Sequence, residues 1–198
     1  MLGRLPLATI ERRMMKISWV VADSYTFDPT INLNQVKDIG PVWGSWRTWR
    51  SCGTDNVIAH EFKKSQDLLQ RAFQAVCNFY VPKHDYQSLG RPMGVKLYDG
   101  EYNSQVDHVE EVIAMHLAAQ SSDIVLMLGF NLVVPENITD KLEQHKIKNY
   151  HGLVRSAIAA NDTVQWVAVD HTNTPDQAYS TLSNFSCDIM DNVLQLLT

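Results

Sequence analysis

The sequence has few cysteines, no long apolar run and no excess of positive charge, and each shortage argues against a class of protein. Three cysteines in 198 residues, without Cys-x-x-Cys spacing, do not make a disulfide framework or a zinc site, so we expect reduced thiols and a cytoplasmic protein. No apolar stretch approaches the roughly 20 residues that cross a bilayer, so no membrane association is expected. The formal net charge of −5 argues against broad binding to a nucleic-acid backbone.

Several motifs that identify common enzyme families are also missing. There is no Gly-x-Gly-x-x-Gly after a strand, no Gly-x-x-x-x-Gly-Lys-Ser/Thr and no Gly-x-Ser-x-Gly. A classical dinucleotide fold, a P-loop NTPase and an α/β-hydrolase are therefore disfavoured. The seven histidines show no His-x-x-x-His or His-Glu-x-x-His spacing, so we predict no dedicated metal site, and no cofactor is indicated.

The chain does contain short apolar runs that alternate with longer helical patterns. Strand patterns occur at 16–23, 93–100, 124–128 and 163–170, and a fifth is indicated at 56–61. Helices are predicted over 61–80, over 104–120, over 138–160 with a break near Gly152, and over 176–197. Strands alternating with helices form parallel βαβ units. We therefore predict an α/β fold: a three-layer αβα sandwich with a mostly parallel sheet of four to five strands, Rossmann-like or flavodoxin-like.

The length is typical of one domain. Residues 1–14 precede the first strand pattern and are predicted to be an N-terminal extension outside the core, whereas 15–198 are predicted to form a single α/β domain. Residues 24–60 connect the first strand to the first long helix, a step that usually takes few residues. We interpret this segment as an insertion that forms a lid or wall over a ligand site.

The most unusual stretch lies inside that insertion and reads GPVWGSWRTWRSCGTDN, residues 40–56. Indole faces stack on flat rings, and guanidinium groups grip phosphate or carboxylate with paired donors. We predict that Trp46 and Trp49 stack on a small anionic ligand whose charge Arg47 and Arg50 hold. The alternative is that these aromatic side chains form a satellite core, with the arginines stacked over them.

Polar residues follow the predicted strands at ends that would share one edge of the sheet. In open parallel sheets, ligands bind beyond the carboxyl ends of the strands, where the strand order reverses. Asp23 and the pair Asp170–His171 follow the carboxyl ends of two predicted strands and are candidate acid–base groups. Gly129 and Asn131 follow the carboxyl end of a third predicted strand and would shape the pocket. For Asp170 the alternative role is capping the turn into the last helix.

Other charged residues receive structural interpretations. Glu110 and Glu111 suit the positive end of a helix dipole. The adjacent pair Asp107–His108 is set aside because neighbours on a helix do not face each other. His116 falls on the apolar face of the same predicted helix and is interpreted as a core histidine.

Two functional hypotheses from different classes follow. The first is a small cytoplasmic enzyme that binds a nucleotide, nucleoside or similar anionic metabolite at the edge of the sheet, and that catalyses hydrolysis or group transfer at a phosphate or glycosidic bond. The second is a non-catalytic binding protein or an oligomeric interaction module, since Trp and Arg are common interface anchors. A homo-oligomer is compatible with this second hypothesis. An enzyme needs acidic or imidazole groups around one concave pocket, whereas an interaction module presents a flat or convex aromatic patch.

Overall fold

The computed structural model describes residues 15–22, 33–71, 77–100, 102, 108–133, 137–169 and 177–197. Within them, eight strands form one sheet: β1 (Ile17–Val21), β2 (Val42–Ser45), β3 (Asn56–Ile58), β4 (Asn78–Pro82), β5 (Val95–Tyr98), β6 (Ile124–Leu128), β7 (Gln165–Val169) and β8 (Phe185–Asp188). The α-helices over the same residues are α1 (Leu33–Ile39), α2 (Trp46–Cys52), α3 (Phe62–Arg71), α4 (Val109–Ala119), α5 (Lys141–Ala160) and α6 (Met190–Leu197). None of these helices is long and apolar enough to span a bilayer.

The strands are all parallel, and their order is β5-β4-β3-β2-β1-β6-β7-β8. The chain begins at the centre of the sheet, builds outward to β5 and then returns to place β6 on the other side of β1. The strand order therefore reverses between β1 and β6, where Ile17 lies opposite Ile124 and Val21 opposite Leu128. This topology confirms the predicted α/β fold with a parallel sheet, although the sheet has more strands than predicted.

Helices cover both faces of the sheet and complete the three layers. Successive residues of a strand point to opposite faces. On one face, Val20 and Trp166 belong to the largest core cluster, together with buried side chains of α4 and α5. On the other face, Trp19 packs with residues of α1 and α6, while Val57 and Phe79 pack with residues of α2 and α3.

The helix predicted over 61–80 and the closing helix predicted over 176–197 are both too long. α3 ends at Arg71, and β4 follows, with Phe79 and Val81 buried on one face of the sheet. Likewise, β8 pairs with β7 inside the predicted closing helix, and α6 begins only at Met190. In both places the apolar spacing fits a helix over a short distance, but pairing with a neighbouring strand decides the conformation. The predicted break near Gly152 is also wrong, because α5 continues through it.

The described part of the segment 24–60 is not an irregular insertion. Residues 33–58 form α1, β2, α2 and β3, and both strands pair within the sheet. β2 has only four residues and includes a glycine, so its sequence carries little strand signal, yet all four residues are buried. The described residues of this segment are therefore part of the sheet and its helical layers and not an insertion, and their role as the wall of a ligand site stays a prediction. The predicted extension 1–14 and residues 24–32 lie outside the described residues, and the single domain stays a prediction.

Candidate functional site

The tryptophans of α2 pack towards the sheet. α2 begins directly after β2, at the carboxyl edge, and Trp46 and Trp49 are half-buried against the cluster that contains Val57 and Phe79. The ring of Trp49 meets Phe79 edge-on, with centroids 6.3 Å apart. The guanidinium of Arg50 lies 5.3 Å from the centre of the Trp46 ring. This geometry agrees with the satellite-core alternative, and ligand stacking by these indoles stays a prediction.

The other predicted site residues divide into described and undescribed ones. Three of them lie outside the described residues, and their acid–base role stays a prediction: Asp23, Asp170 and His171. Gly129 and Asn131 lie just beyond β6, at the strand-order reversal. Gly129 has a φ of 75°, in the left-handed region that favours glycine. The side chain of Asn131 accepts a hydrogen bond from the Val133 amide at 3.3 Å. These two residues shape a turn at the predicted place. Arg47 is exposed on the first turn of α2.

A group of ionisable side chains that the sequence analysis did not assign to a site meets at the carboxyl edge. We call it the edge cluster, and its members are Glu61, Lys64, His108, Glu110, Glu111 and Tyr150. α3 and α4 pack on opposite faces of the sheet. Both begin at the carboxyl edge, so their first turns meet across it, and α5 adds Tyr150 from the side of α4. The edge cluster therefore joins three helices at the edge where parallel sheets bind ligands.

One half of the edge cluster is an ion-pair network around Lys64. Its ammonium group donates a hydrogen bond to Glu110 at 2.9 Å and lies 2.8 Å from a carboxylate oxygen of Glu61. Glu110 is only 6% exposed. Burial by itself would lower the pKa of Lys64, but the hydrogen bonds and negative charges of Glu110 and Glu61 outweigh it and raise that pKa. One positive charge is therefore shared between two carboxylates.

The other half is centred on Glu111, which is 1% exposed. The Tyr150 hydroxyl donates to one of its oxygens at 2.8 Å, and Nδ1 of His108 lies 3.1 Å from the other. Burial, followed by the charge of Glu111, raises the pKa of Tyr150 well above its usual value, so this phenol stays protonated and donates. His108 has a φ of 62°, a costly conformation for a residue other than glycine, and such strain is typical of functional sites.

This arrangement can perform proton transfer. A carboxylate and an imidazole within hydrogen-bonding distance can exchange a proton, and a hydroxyl that donates to the carboxylate holds it in one orientation. In the described part of the chain, no group of three or more His, Cys, Asp or Glu side chains is arranged to hold a metal ion. The edge cluster is therefore a candidate acid–base centre.

Sequence reasoning could have found part of the edge cluster. His108 and Glu111 are three residues apart, the spacing at which side chains meet at the start of a helix. The interpretation of Glu111 as a dipole-stabilising charge ignored this pair. By contrast, Lys64 lies 46 residues from Glu110, and Tyr150 lies 39 residues from Glu111. No local pattern predicts contacts over such distances.

A second polar group nearby is structural. His60 is buried directly after β3, with Nδ1 2.9 Å from the hydroxyl of Tyr98 and Nε2 3.0 Å from the carbonyl oxygen of Tyr102. A carbonyl oxygen only accepts, so Nε2 carries a hydrogen and donates it to Tyr102, while the Tyr98 hydroxyl also lies 3.4 Å from the carbonyl oxygen of Ala59. Both ring nitrogens are thus occupied. His60 ties the chain that follows β5 to the end of β3.

An apolar groove lies on the outer side of α3. Its volume is about 400 Å³, and it is lined by Phe62, Gln66, Leu69, Gln70, Ser88 and Leu89. Phe62 is 39% exposed. The groove is lined by neutral side chains, so it offers an apolar contact surface and no acid–base group.

We predict that His116 makes the stability of the protein sensitive to mild acid. Burial lowers the pKa of His116 in α4 below its usual 6.5. The unfolded chain therefore takes up this proton at a higher pH than the folded chain, and stability falls as the pH drops below about 6.5. The midpoint of thermal unfolding, measured between pH 7.5 and 5.5, should fall less in His116→Gln than in the parent. The same substitution at exposed His145 is the control, and parallel pH curves for His116→Gln and the parent would contradict the prediction.

The fold and the edge cluster define a doubly wound, all-parallel α/β protein with a buried polar centre at the carboxyl edge of its sheet. No family model, curated protein or solved structure matches the chain.

Proposed function

We propose that this protein is a small enzyme that binds a nucleoside, nucleotide or similar metabolite at the carboxyl edge and catalyses hydrolysis or group transfer on it. The observation that carries the proposal is the buried carboxylate of Glu111, held by Tyr150 and placed beside His108 at the start of α4. α4 packs against β1, β2, β3 and β6, so it covers the place between β1 and β6 where the strand order reverses. Ligands of open parallel sheets bind beyond the carboxyl ends of such strands.

In this proposal Glu111 and His108 exchange protons with the bound metabolite or with an attacking water. A buried carboxylate within hydrogen-bonding distance of an imidazole is typical of acid–base catalysis, because the two groups can pass a proton between them. Asp23, Asp170 and His171 supply further acid–base groups. The support for them is that β1 ends at Val21 and β7 at Val169, so the chain leaves both strands at this edge.

In the same proposal, the tryptophan- and arginine-containing residues 40–56 form one wall of the ligand site. Of its predicted ligand contacts, Arg47 is the best placed, because it is exposed on the first turn of α2, where that helix leaves the carboxyl edge. Arg50 is stacked over Trp46. Gly129 and Asn131 form the turn at the strand-order reversal.

A ligand screen with a Glu111 variant tests the proposal. A ligand present at 100 times its Kd stabilises the folded state by about 2.7 kcal/mol, so nucleosides, nucleotides and glycosides can be screened by thermal unfolding. We expect Glu111→Gln to weaken binding of the stabilising ligand at least about tenfold, or 1.4 kcal/mol. The fold should be retained, because glutamine has the same shape and keeps an oxygen for the Tyr150 hydroxyl.

Glu143→Gln is the matched control, because Glu143 is exposed on the first turn of α5. Its ligand-induced shift should equal that of the parent. Equal shifts in the parent and in Glu111→Gln would remove Glu111 from the site.

We also place the protein in the cytoplasm. The support is that none of its three cysteines forms a disulfide, and all three are described: Cys52, Cys77 and Cys187. Reduced thiols are typical of a cytoplasmic protein.

A second candidate function is that of an interaction module, including a homo-oligomer. It is favoured by the apolar groove beside Phe62 and by the exposed Arg50 stacked on the half-buried Trp46, since α2 and α3 belong to the same helical layer. Light scattering after size exclusion measures the mass of the particle. This candidate would be supported if the parent has a mass above that of one chain and Phe62→Ala has the mass of one chain. A parent with the mass of one chain would contradict the homo-oligomer.

A further inference from the structure

We propose that the edge strand β5 pairs antiparallel with β5 of a second copy of this chain, so that two sheets join into one around a twofold axis. This inference rests on the second candidate function, for which it names the partner and the surface, and the enzymatic proposal does not depend on it. The same residues of both copies form such an interface. Three observations carry the inference: the thin cover of β5, the exposed apolar residues around it and the distribution of charge along it.

β5 lacks the helical cover of the strands beside it. Parallel strands are usually joined by a connection that contains a helix. The connection from β4 to β5, residues 83–94, is described throughout and contains a 3₁₀ turn but no α-helix. Val95 packs beside the cluster that α3 covers, so Leu97, two residues later, points to the same face of the sheet. There Leu97 is 41% exposed.

Exposed apolar side chains are concentrated around this edge. In the described part of the chain, six large apolar residues are exposed, and three of them lie at the start of α3 or around β5: Phe62, Met93 and Leu97. Met93, just before the strand, is 97% exposed. The apolar groove of α3 is completed by Leu89 from the connection 83–94. A grouped set of exposed apolar side chains is typical of a protein–protein interface.

The outer edge of β5 determines how a second copy can pair with it. Among the described strands, β5 pairs with β4 alone, so its other side presents N–H and C=O groups to a further strand. Lysine at an edge opposes such pairing, but the ammonium group of Lys96 lies 5.4 Å from the centre of the Tyr80 ring in β4. A twofold axis at Lys96 would set two lysines opposite each other, which is unfavourable. An axis at Leu97 sets two leucines opposite each other.

The charges along β5 favour an antiparallel copy as the partner. Arg91 and Lys96 are exposed before and within the strand, and Asp99 is exposed directly after it. Asp99 also lies 3.3 Å from Lys83 of its own chain, in a pair exposed to solvent. An antiparallel copy brings the basic start of each strand beside the acidic end of the other, within the Debye length of about 10 Å. Electrostatic attraction between the copies therefore occurs twice by symmetry.

The first test measures the mass of the particle by light scattering after size exclusion, over a dilution series. We expect twice the mass of one chain for the parent and the mass of one chain for Leu97→Lys, because this change sets two lysines opposite each other at the axis. Leu142→Lys is the matched control, since Leu142 is 64% exposed on α5, and it should keep the mass of two chains. Lys96→Glu should weaken the dimer at least about tenfold, and the charge swap Lys96→Glu with Asp99→Lys should restore it.

The second test measures the register by disulfide cross-linking, with the exposed Cys187 replaced by serine. A disulfide needs Cα atoms within about 7 Å, and residues directly opposite each other in an antiparallel pair are about 4.5 to 5.5 Å apart. Leu97→Cys should therefore give a dimer on a non-reducing gel. Lys96→Cys should stay unlinked, because with the axis at Leu97 its two copies are not opposite each other.

The outcomes separate this inference from the functions proposed above. A parent with the mass of one chain at every concentration contradicts both the inference and the homo-oligomer, while the enzymatic proposal stands. A dimer that persists in Leu97→Lys contradicts the inference alone, and if Phe62→Ala dissociates that dimer, the second candidate function is retained. Dissociation by Leu142→Lys as well as by Leu97→Lys would also contradict the β5 interface. Cross-linking of Lys96→Cys without that of Leu97→Cys would overturn the register.

Discussion

Replacing Gly40 by alanine should destabilise the protein by about 3 kcal/mol, at the upper end of what overpacking costs. Gly40 precedes β2, and a Cβ atom at this position would overlap the carbonyl oxygen of Ile17 in β1. The neighbour is backbone, so it cannot rotate away. The next residue, Pro41, accepts a hydrogen bond from the amide of Trp19 at 2.9 Å. The clash therefore separates β1 and β2 at the centre of the sheet.

The measurement is urea or thermal unfolding, with Gly152→Ala as the matched control. Gly152 lies inside α5, and a Cβ atom there meets nothing within 4 Å. Alanine is preferred over glycine in a helix by about 1 kcal/mol, so this variant should be more stable than the parent. The two glycine-to-alanine changes should have opposite signs. A neutral Gly40→Ala variant would show that the start of β2 is placed incorrectly.

Replacing Trp166 by alanine should cost about 3 to 5 kcal/mol, the range for removing a large buried aromatic side chain. Trp166 lies in β7, is fully buried and packs in the largest core cluster. With roughly 2 to 4 °C lost per kcal/mol in a chain of this size, the unfolding midpoint should fall by about 6 to 20 °C. The indole nitrogen has no hydrogen-bond partner. Trp166→Phe should therefore be much milder, since it removes an unsatisfied donor together with part of the ring.

Trp49→Ala provides the contrast within the same chain. Trp49 is half-buried on α2 and packs edge-on against Phe79, so its loss should cost clearly less than that of Trp166, about 1 to 2 kcal/mol. Both values come from unfolding in the absence of ligand. Equal losses for the two tryptophans would mean that α2 belongs to the main core. A Trp49→Ala variant as stable as the parent would contradict the satellite core and return this indole to the candidate ligand contacts.

The strands that could be predicted share one property. β1, β6 and β7 consist mostly of apolar residues, as expected for the inner strands of a parallel sheet. Together with β3 and β5, they led to the prediction of the α/β class. β2, β4 and β8 were not predicted, and the segments that contain β4 and β8 were assigned to helices. Each of these three strands is stabilised by hydrogen bonds to a strand elsewhere in the sequence, and its own residues do not predict that pairing.

The aromatic and basic stretch at 40–56 shows the same limit for function. Its composition suggested ligand contacts, but composition does not state which side of a helix faces the sheet. Because α2 covers β2 and β3, Trp46 and Trp49 turn towards Val57 and Phe79, while Arg47 and Arg50 are exposed.

Patterns along the chain alone were enough to establish a layered α/β architecture and the edge at which polar residues collect, because both follow from the local periodicity of apolar side chains and the direction of parallel strands. The hydrogen-bond partners of Glu110 and Glu111 were determined only by the tertiary structure. Two helices on opposite faces and a third beside them bring Lys64 and Tyr150 to these carboxylates. A contact between residues some 40 positions apart depends on how the helices pack, and the sequence of any one helix does not contain it.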